Sequence, residues 1–315
     1  MGFKDSFIGR FKAQDSGGKN FKGEYPGVLT EKNGVKYLVN DSVREITPVL
    51  PSREDFENTY NTCLHLLDGV RDKKSAKLGE CGILDLKAAS LDKRYGDNAK
   101  TLLDALKAGE KELREALSNR FTNSHRLNFL LACFYKPEEL LFFDIETKSL
   151  ASETSIITIG LGWYEDKTFR ARQYTVLEDA AEYEIIKEFL SVASGKKAFV
   201  TYNGRGFDVP YSDGRISYHS IADGPDITQM PNFDLLYFCR KAYANRSDSY
   251  SLKNMERAIL STDRKDDIGG EEVILYYGRY LSSGDPKYLT PIITHNAEDI
   301  FSLALLMNRL ALEWK

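Results

Sequence analysis

The chain has 315 residues, 42% apolar and 29% charged, which is long enough for two domains or for one domain with a large extension. A net charge of −4 speaks against coating nucleic acid by bulk attraction, while leaving room for a local basic face. No apolar run reaches about 18 residues and the N-terminus lacks the apolar core of a signal peptide, so a cytoplasmic protein with no membrane association is expected.

The first 50 or so residues are rich in Gly, Lys and Asp. Within them "GVLTEKNGVKYLV" reads as a hairpin, since Asn33-Gly34 is a turn signal between two β-prone runs. From Ser52 to Lys136 the apolar spacing turns helical in "YNTCLHLLDGV", "KTLLDALKAGEKELREAL" and "SHRLNFLLACF", with "SAKLGECG" read as a loop between them. Residues 1–138 therefore form an N-terminal region of a small hairpin followed by helices, and 139–315 a second unit. The four cysteines, Cys63, Cys81, Cys133 and Cys239, form no C-x-x-C pair and read as buried free thiols.

After Glu139 strands alternate with helices, as in "LLFFD", "SIITIGLGWY", "FRARQYTV", a helix near 178–193 and "KAFVTY". That order predicts a mixed α/β sheet flanked by helices. Residues 1–139 carry 23 Lys+Arg against 21 Asp+Glu and the remainder 20 against 26, so the acidic excess lies in the second unit.

Three patterns in that unit invite chemistry. Asp144 and Glu146 stand two apart at the end of an apolar strand, on one face, where both could reach one cation. Alone, D-x-E is equally a solvated strand end. In "TYNGRGFDVP" a strand stops at Asn203-Gly204 and a helix begins near Asp208, which is either a ligand or an ordinary helix N-cap. His295 and Asp299 lie one turn apart on a long helix, a ligand pair or a helix-stabilising contact, with Glu298 off that face and solvated. Asp234 in "NFDLL" precedes a helix and is expected to cap it or to support the site.

In this order, 64 and then 91 residues apart, D-x-E, N-x-x-x-F-D and H-x-x-x-D resemble the DEDD exonucleases of the ribonuclease H-like superfamily, and more closely its YprB-like branch. "FRARQY", "YNGRGFDVPY", "FDLLYFCRKAY", "SLKNMERAIL" and "DDIGGEEVILYYGRYLSSGDPKYLTPIITHNAEDIFSLALL" extend the likeness from about Leu140 to the C-terminus. The resemblance implies a ribonuclease H-like sheet whose Asp144, Glu146, Asp208 and Asp299 hold two Mg²⁺ or Mn²⁺ ions. Hard oxygen donors suit those ions, and four clustered carboxylates repel one another without them.

It further implies His295 as the general base or the orienter of the attacking water, with Thr147, Asn203 and Phe207 near the substrate. Phe207 can equally be core packing. Superfamily patterns place Tyr four residues before the last Asp or His five before it, so His295 at four departs from both. The implied activity is a 3′-5′ exonuclease on single-stranded DNA or RNA. The alternatives are a ribonuclease H-like endonuclease, a non-catalytic nucleic-acid-binding protein, and a phosphatase or nucleotide hydrolase. The helical N-terminal region, with "RDKKSAK", is expected to guide a strand or contact a partner protein, or to be plain solvated surface.

Overall fold

The computed structural model describes residues 24–149, 154–264 and 267–314. Its centre is a seven-stranded mixed sheet of order β1-β2-β5-β4-β3-β6-β7, with strands β1 Val28–Lys32, β2 Val35–Glu45, β3 Leu140–Thr147, β4 Ile156–Glu165, β5 Thr168–Val176, β6 Ala198–Thr201 and β7 Asn232–Asp234. β3 runs antiparallel to β4 and parallel to β6, and β7 continues the parallel side.

The hairpin forms as expected, with Asn33 (φ 51°) and Gly34 (φ 80°) in the left-handed conformations a two-residue turn requires. It does not stand apart from the second unit. β2 pairs with β5 from Tyr37 to Glu45, so the hairpin extends the sheet that carries Asp144 and Glu146.

Helices cover both sheet faces. In the N-terminal region they are α1 Arg53–Thr62, α2 Asp72–Glu80, α3 Leu86–Ala89, α4 Gly96–Ala108, α5 Glu110–Ser118 and α6 Arg126–Leu130. Then follow α7 Glu182–Ala193, α8 Asp208–Tyr218, α9 Leu235–Ala242, α10 Leu252–Met255, α11 Gly270–Ser283 and α12 Thr290–Glu313. No helix among the described residues is long and apolar enough to cross a membrane.

β3 is apolar at consecutive positions because both its faces are covered. Leu140 and Phe142 join a core with Phe56, Tyr60 and Leu306, while Leu141 and Phe143 join the opposite core with Phe189 and Tyr277. Phe143 stacks on Phe189 at 4.6 Å between ring centroids, and Phe142 meets Phe169 edge-on at 4.9 Å. Burying each such ring stabilises the fold by roughly 1.5–3 kcal/mol. The first core joins N-terminal helices to the sheet, so the boundary expected at 138/139 separates two stretches of sequence that share one apolar interior.

Three local expectations are corrected and one is refined. "SAKLGECG" is largely helical, and Gly82 (φ 81°) closes α2 while Ile83 N–H returns to the Leu78 carbonyl at 2.9 Å. The helical spacing over 100–117 is borne out by two helices, α4 and α5, that break at Gly109 (φ 132°). Cys81 is exposed, unlike the other three cysteines. Glu298 is held by the guanidinium of Arg44 on β2, tying the hairpin to α12.

Candidate active site

The acids come from three elements. Asp144 and Glu146 project from one face of β3, the face of Phe142, and the pairing with β4 slips by one residue just beyond them: Glu146 faces Thr158 and Thr147 faces Ile156. Asp208 opens α8, and His295 and Asp299 lie one turn apart on α12.

Helix α12 passes from one core to the other. Ile292 and Ile293, with the N-cap Leu289, belong with Phe143, whereas Ile300, Leu303 and Leu306 belong with Phe142. His295, Asn296 and Asp299 fall at that passage. The close approach depends on Gly160 of β4, where an added Cβ would lie 2.0 Å from Asn296 Oδ1. Asn296 is fully buried, and its Nδ2 donates to Asp144 Oδ2 at 2.9 Å. Oδ1 of Asn296 has no hydrogen-bond partner among the described residues, leaving a buried acceptor beside the acids.

Oxygen atoms of Glu146 and Asp299 and a ring nitrogen of His295 all lie within 4.8 Å of one another. His295 Nε2 is 3.6 Å from Glu146 Oε1 and 3.7 Å from Asp299 Oδ2, and its Nδ1 is 2.8 Å from Asp267 Oδ1. Asp144 and Asp208 lie outside this three-residue group, and the charges of Asp208, Asp299 and Glu146 all act on Asp144. Asp208 does not cap its helix through its side chain. Phe207 is the N-cap, and Asp208 Oδ1 instead accepts the Ile145 N–H of β3 at 3.0 Å, crossing between the two elements.

Burial dominates the electrostatics. It raises Asp144 well above the ordinary aspartate value, and the neighbouring acids add to the effect. It raises Glu146 to about 8, against the opposing charge of His295, and Asp208 to about 7, against the hydrogen bond from Ile145. Burial alone would lower His295, but Asp299, Glu146 and Asp267 overcome it and raise the imidazole. Without a cation this site holds protons near neutrality.

Two residues not singled out in the sequence complete it. Arg264, 9% exposed at its side chain, donates to Asp299 Oδ1 at 2.5 Å, lies 3.3 Å from Asp267 Oδ2, and pairs with buried Glu256 at 2.9 Å through Nε. Asp267 orients His295. Neither sits on a helix or strand with a readable period. Their one signal was the charge density of "TDRKDD".

Asp234 does what its position suggested. It is buried, caps α9 through Leu236 N–H, and accepts the N–H groups of Asn203 (2.8 Å) and Arg205 (3.0 Å), fixing the turn before Asp208. Asn203 is exposed with φ 66°, and Gly204 is required because a Cβ would lie 2.4 Å from Thr201. Phe207 is half-buried against Tyr211, with centroids 5.4 Å apart. Thr147 is buried, and its hydroxyl donates to the Ser149 carbonyl at 2.7 Å.

The donor set suits a hard divalent cation, with carboxylate oxygens from Glu146 and Asp299, an imidazole nitrogen, and Asp144 and Asp208 beside them. Asp144, Asp208 and Asp299 are each oriented through one oxygen, by Asn296, Ile145 and Arg264. A carboxylate anchored in this way can still give its other oxygen to a metal.

Comparison with a family model agrees with the fold. Residues 141–311 match the model of a family described as the RNase_H superfamily. The "Uncharacterized protein YprB" of Bacillus subtilis (strain 168) is 30% identical over 198 residues, covering 61% of this chain and 46% of that protein. The chain thus spans about half the length of this curated relative. The structure of the family B DNA polymerase from the hyperthermophilic archaeon Pyrobaculum calidifontis matches 56% of this chain and 25% of its own, with 18% identity and a TM-score of 0.45.

Proposed function

This chain belongs to the RNase H superfamily, and from that membership we propose that it is a metal-dependent nuclease, acting as a 3′-5′ exonuclease on single-stranded DNA or RNA. The observation that carries the reading is the convergence of Glu146, His295 and Asp299 within 4.8 Å, with Asp144 and Asp208 acting on the same centre. A fold would not gather and bury so many acids for stability, because each raises the cost of ionising its neighbours.

Asp144, Glu146, Asp208 and Asp299 are the residues that would hold two Mg²⁺ or Mn²⁺ ions. Bound there, such ions supply a lowered pKa for the attacking water and stabilise charge on the phosphate oxygens. The chain's own groups do the rest. Asp267 is the partner of Nδ1 and leaves Nε2 facing Glu146 and Asp299; cations held by those acids would offset the negative charge that raises the imidazole, so that Nε2 could accept a proton. The water oxygen bonds to phosphorus, its proton goes to Nε2, and the bond to the 3′-oxygen of the shortened strand breaks with its electron pair on that oxygen, which takes a proton from solvent to become the new 3′-hydroxyl. Arg264 anchors Asp299, and Asn296 anchors Asp144. In this reading Asn203 and Phe207, in the turn held by Asp234, would meet the terminal nucleotide, with Thr147 at the end of β3 beside them.

The test is digestion of 5′- and 3′-labelled single-stranded and duplex DNA and RNA with Mg²⁺, Mn²⁺ or EDTA, beside Asp144→Ala. Metal-dependent shortening from the 3′ end that is absent in the variant is expected. Internal fragments would replace the exonuclease with an endonuclease, and intact substrate in every lane would remove the nuclease.

A further inference from the structure

Between α5 of the N-terminal region and the turn after β6 lies an open cleft of about 400 Å³. Its lining includes Lys111, Arg114, Glu115, Asn128, Arg205 and Asn232. Three cations face one carboxylate there, on a chain whose net charge is −4. Arg114 is partly compensated, since its Nε donates to Glu110 at 2.6 Å and its guanidinium lies 5.6 Å from the Phe233 ring centroid. Lys111 and Arg205 have no carboxylate partner among the described residues.

Arg205 is the informative one. Among the described residues its guanidinium gives one hydrogen bond, 2.6 Å to the Asn232 carbonyl of β7, which pins the side chain along the sheet edge. Arg205 is exposed to solvent at the cleft, where desolvation of its guanidinium disfavours the charge and Asp234, the acid acting on it, favours it without forming an ion pair. A guanidinium presents five donors in a fork that matches a phosphate, so most of its capacity remains for a ligand.

Position ties the cleft to the acids. Arg205 and Asp208 are three residues apart, so their backbones lie within about 11 Å of each other. Buried Asp234 fixes the turn through the N–H groups of Asn203 and Arg205. A nucleic-acid strand carries a phosphate at every nucleotide, so a strand bound at the acids brings further phosphates to the neighbourhood of this turn.

We propose that this cleft is a second, non-catalytic binding site for the phosphodiester backbone of the substrate strand, with Lys111 and Arg205 supplying the charge. The proposal rests on the nuclease reading. It gives the helical N-terminal region a role, which is to hold the strand beyond the scissile bond.

The test is fluorescence anisotropy of a labelled single strand of about 20 nucleotides, titrated with the full chain in EDTA over a range of KCl concentrations. Replacing Lys111 and Arg205 together by Ala is expected to weaken binding about tenfold and to lower the slope of log K against log salt by about 1.4, near 0.7 per phosphate contact. Lys111→Glu alone, at an exposed helical position, carries the test if the double variant fails to fold, with a slope reduced by about 0.7 or more. An unchanged slope and affinity in a folded variant overturns the proposal. Metal-dependent cleavage of a dinucleotide by the wild type, measured in parallel, separates the two readings. Cleavage with an unaltered slope in the variants removes the cleft and keeps the nuclease, whereas a wild type that neither cleaves nor binds removes both.

Discussion

Nδ1 of His295 lies 2.8 Å from Oδ1 of Asp267, and the opposite nitrogen of the ring faces two acids, Glu146 at 3.6 Å and Asp299 at 3.7 Å. An imidazole with one nitrogen fixed by a carboxylate has a defined tautomer and a defined plane. Asp267→Ala is therefore expected to lower kcat or raise the metal concentration for half-activity by about 10- to 100-fold, the usual cost of removing such an orienting partner. Asp267→Asn keeps an acceptor and should retain more activity than Ala. Metal titrations of nuclease activity in the three proteins check this, and wild-type behaviour of the Ala variant would mean that the ring is held by packing alone.

Arg264 is expected to matter for stability as well as for the site. Its side chain is 9% exposed and its partner Glu256 1%, so removing the guanidinium leaves a buried carboxylate without its cation. Arg264→Met should destabilise the fold by about 3–5 kcal/mol, the range for breaking one side of a buried pair. Adding Glu256→Gln should restore part of that loss, because the second change removes the stranded charge. Urea unfolding of the single and double variants gives the coupling directly, and simple additivity would show that the pair contributes little.

Asp208 separates ligand from structural roles cleanly, because Asp208→Asn keeps an oxygen to accept the Ile145 N–H now 3.0 Å away. The variant is expected to fold with little change in melting temperature, while the metal concentration for half-activity rises at least tenfold, since the charge is lost and the hydrogen bond is kept. Thermal unfolding and metal titration on the same preparation test both halves. Unaltered metal dependence would leave Asp208 as a tie between β3 and α8.

The sequence made the acids legible because each sits where regular structure meets an ordinary spacing rule: Asp144 and Glu146 by the strand period, His295 and Asp299 by the helix period, and Asp208 after a glycine-containing turn. Arg264 and Asp267 were not legible. Their segment is irregular, and what they bond to, Glu256, Asp299 and His295, is set by how the helical turn after α10 packs on α12. The role of Gly160 was equally hidden, since its need for no side chain comes from Asn296, more than a hundred residues away. β7 was missed because three residues carry no period, and its pairing with β6 is a tertiary fact. Gly82 looked like a loop marker when it was the closing residue of α2, because left-handed glycines serve both uses.

The protonation of the metal-free site sets a pH dependence whose sign is unusual for carboxylates. Glu146 and Asp208 ionise at 4.5 and 3.8 in an unstructured chain, but burial holds them to about 8 and about 7 in the folded one. Between those values the folded state binds more protons than the unfolded, so stability falls as pH rises, from about pH 4 to about pH 8. His295 acts in the same direction. Its raised folded value contributes stability that is fully present below 6.5 and lost as pH climbs through that raised value. A divalent cation binds the deprotonated carboxylates, so its stabilising effect grows as protons leave. In EDTA the melting temperature should therefore fall between about pH 5.5 and pH 8, and Mn²⁺ should raise it more at the higher pH. Glu146→Gln should flatten the decline and shrink the metal effect. Melting temperatures that neither fall with pH nor respond to Mn²⁺ would mean that these acids are stabilised by the protein itself, and a cation would then have no deficit to offset.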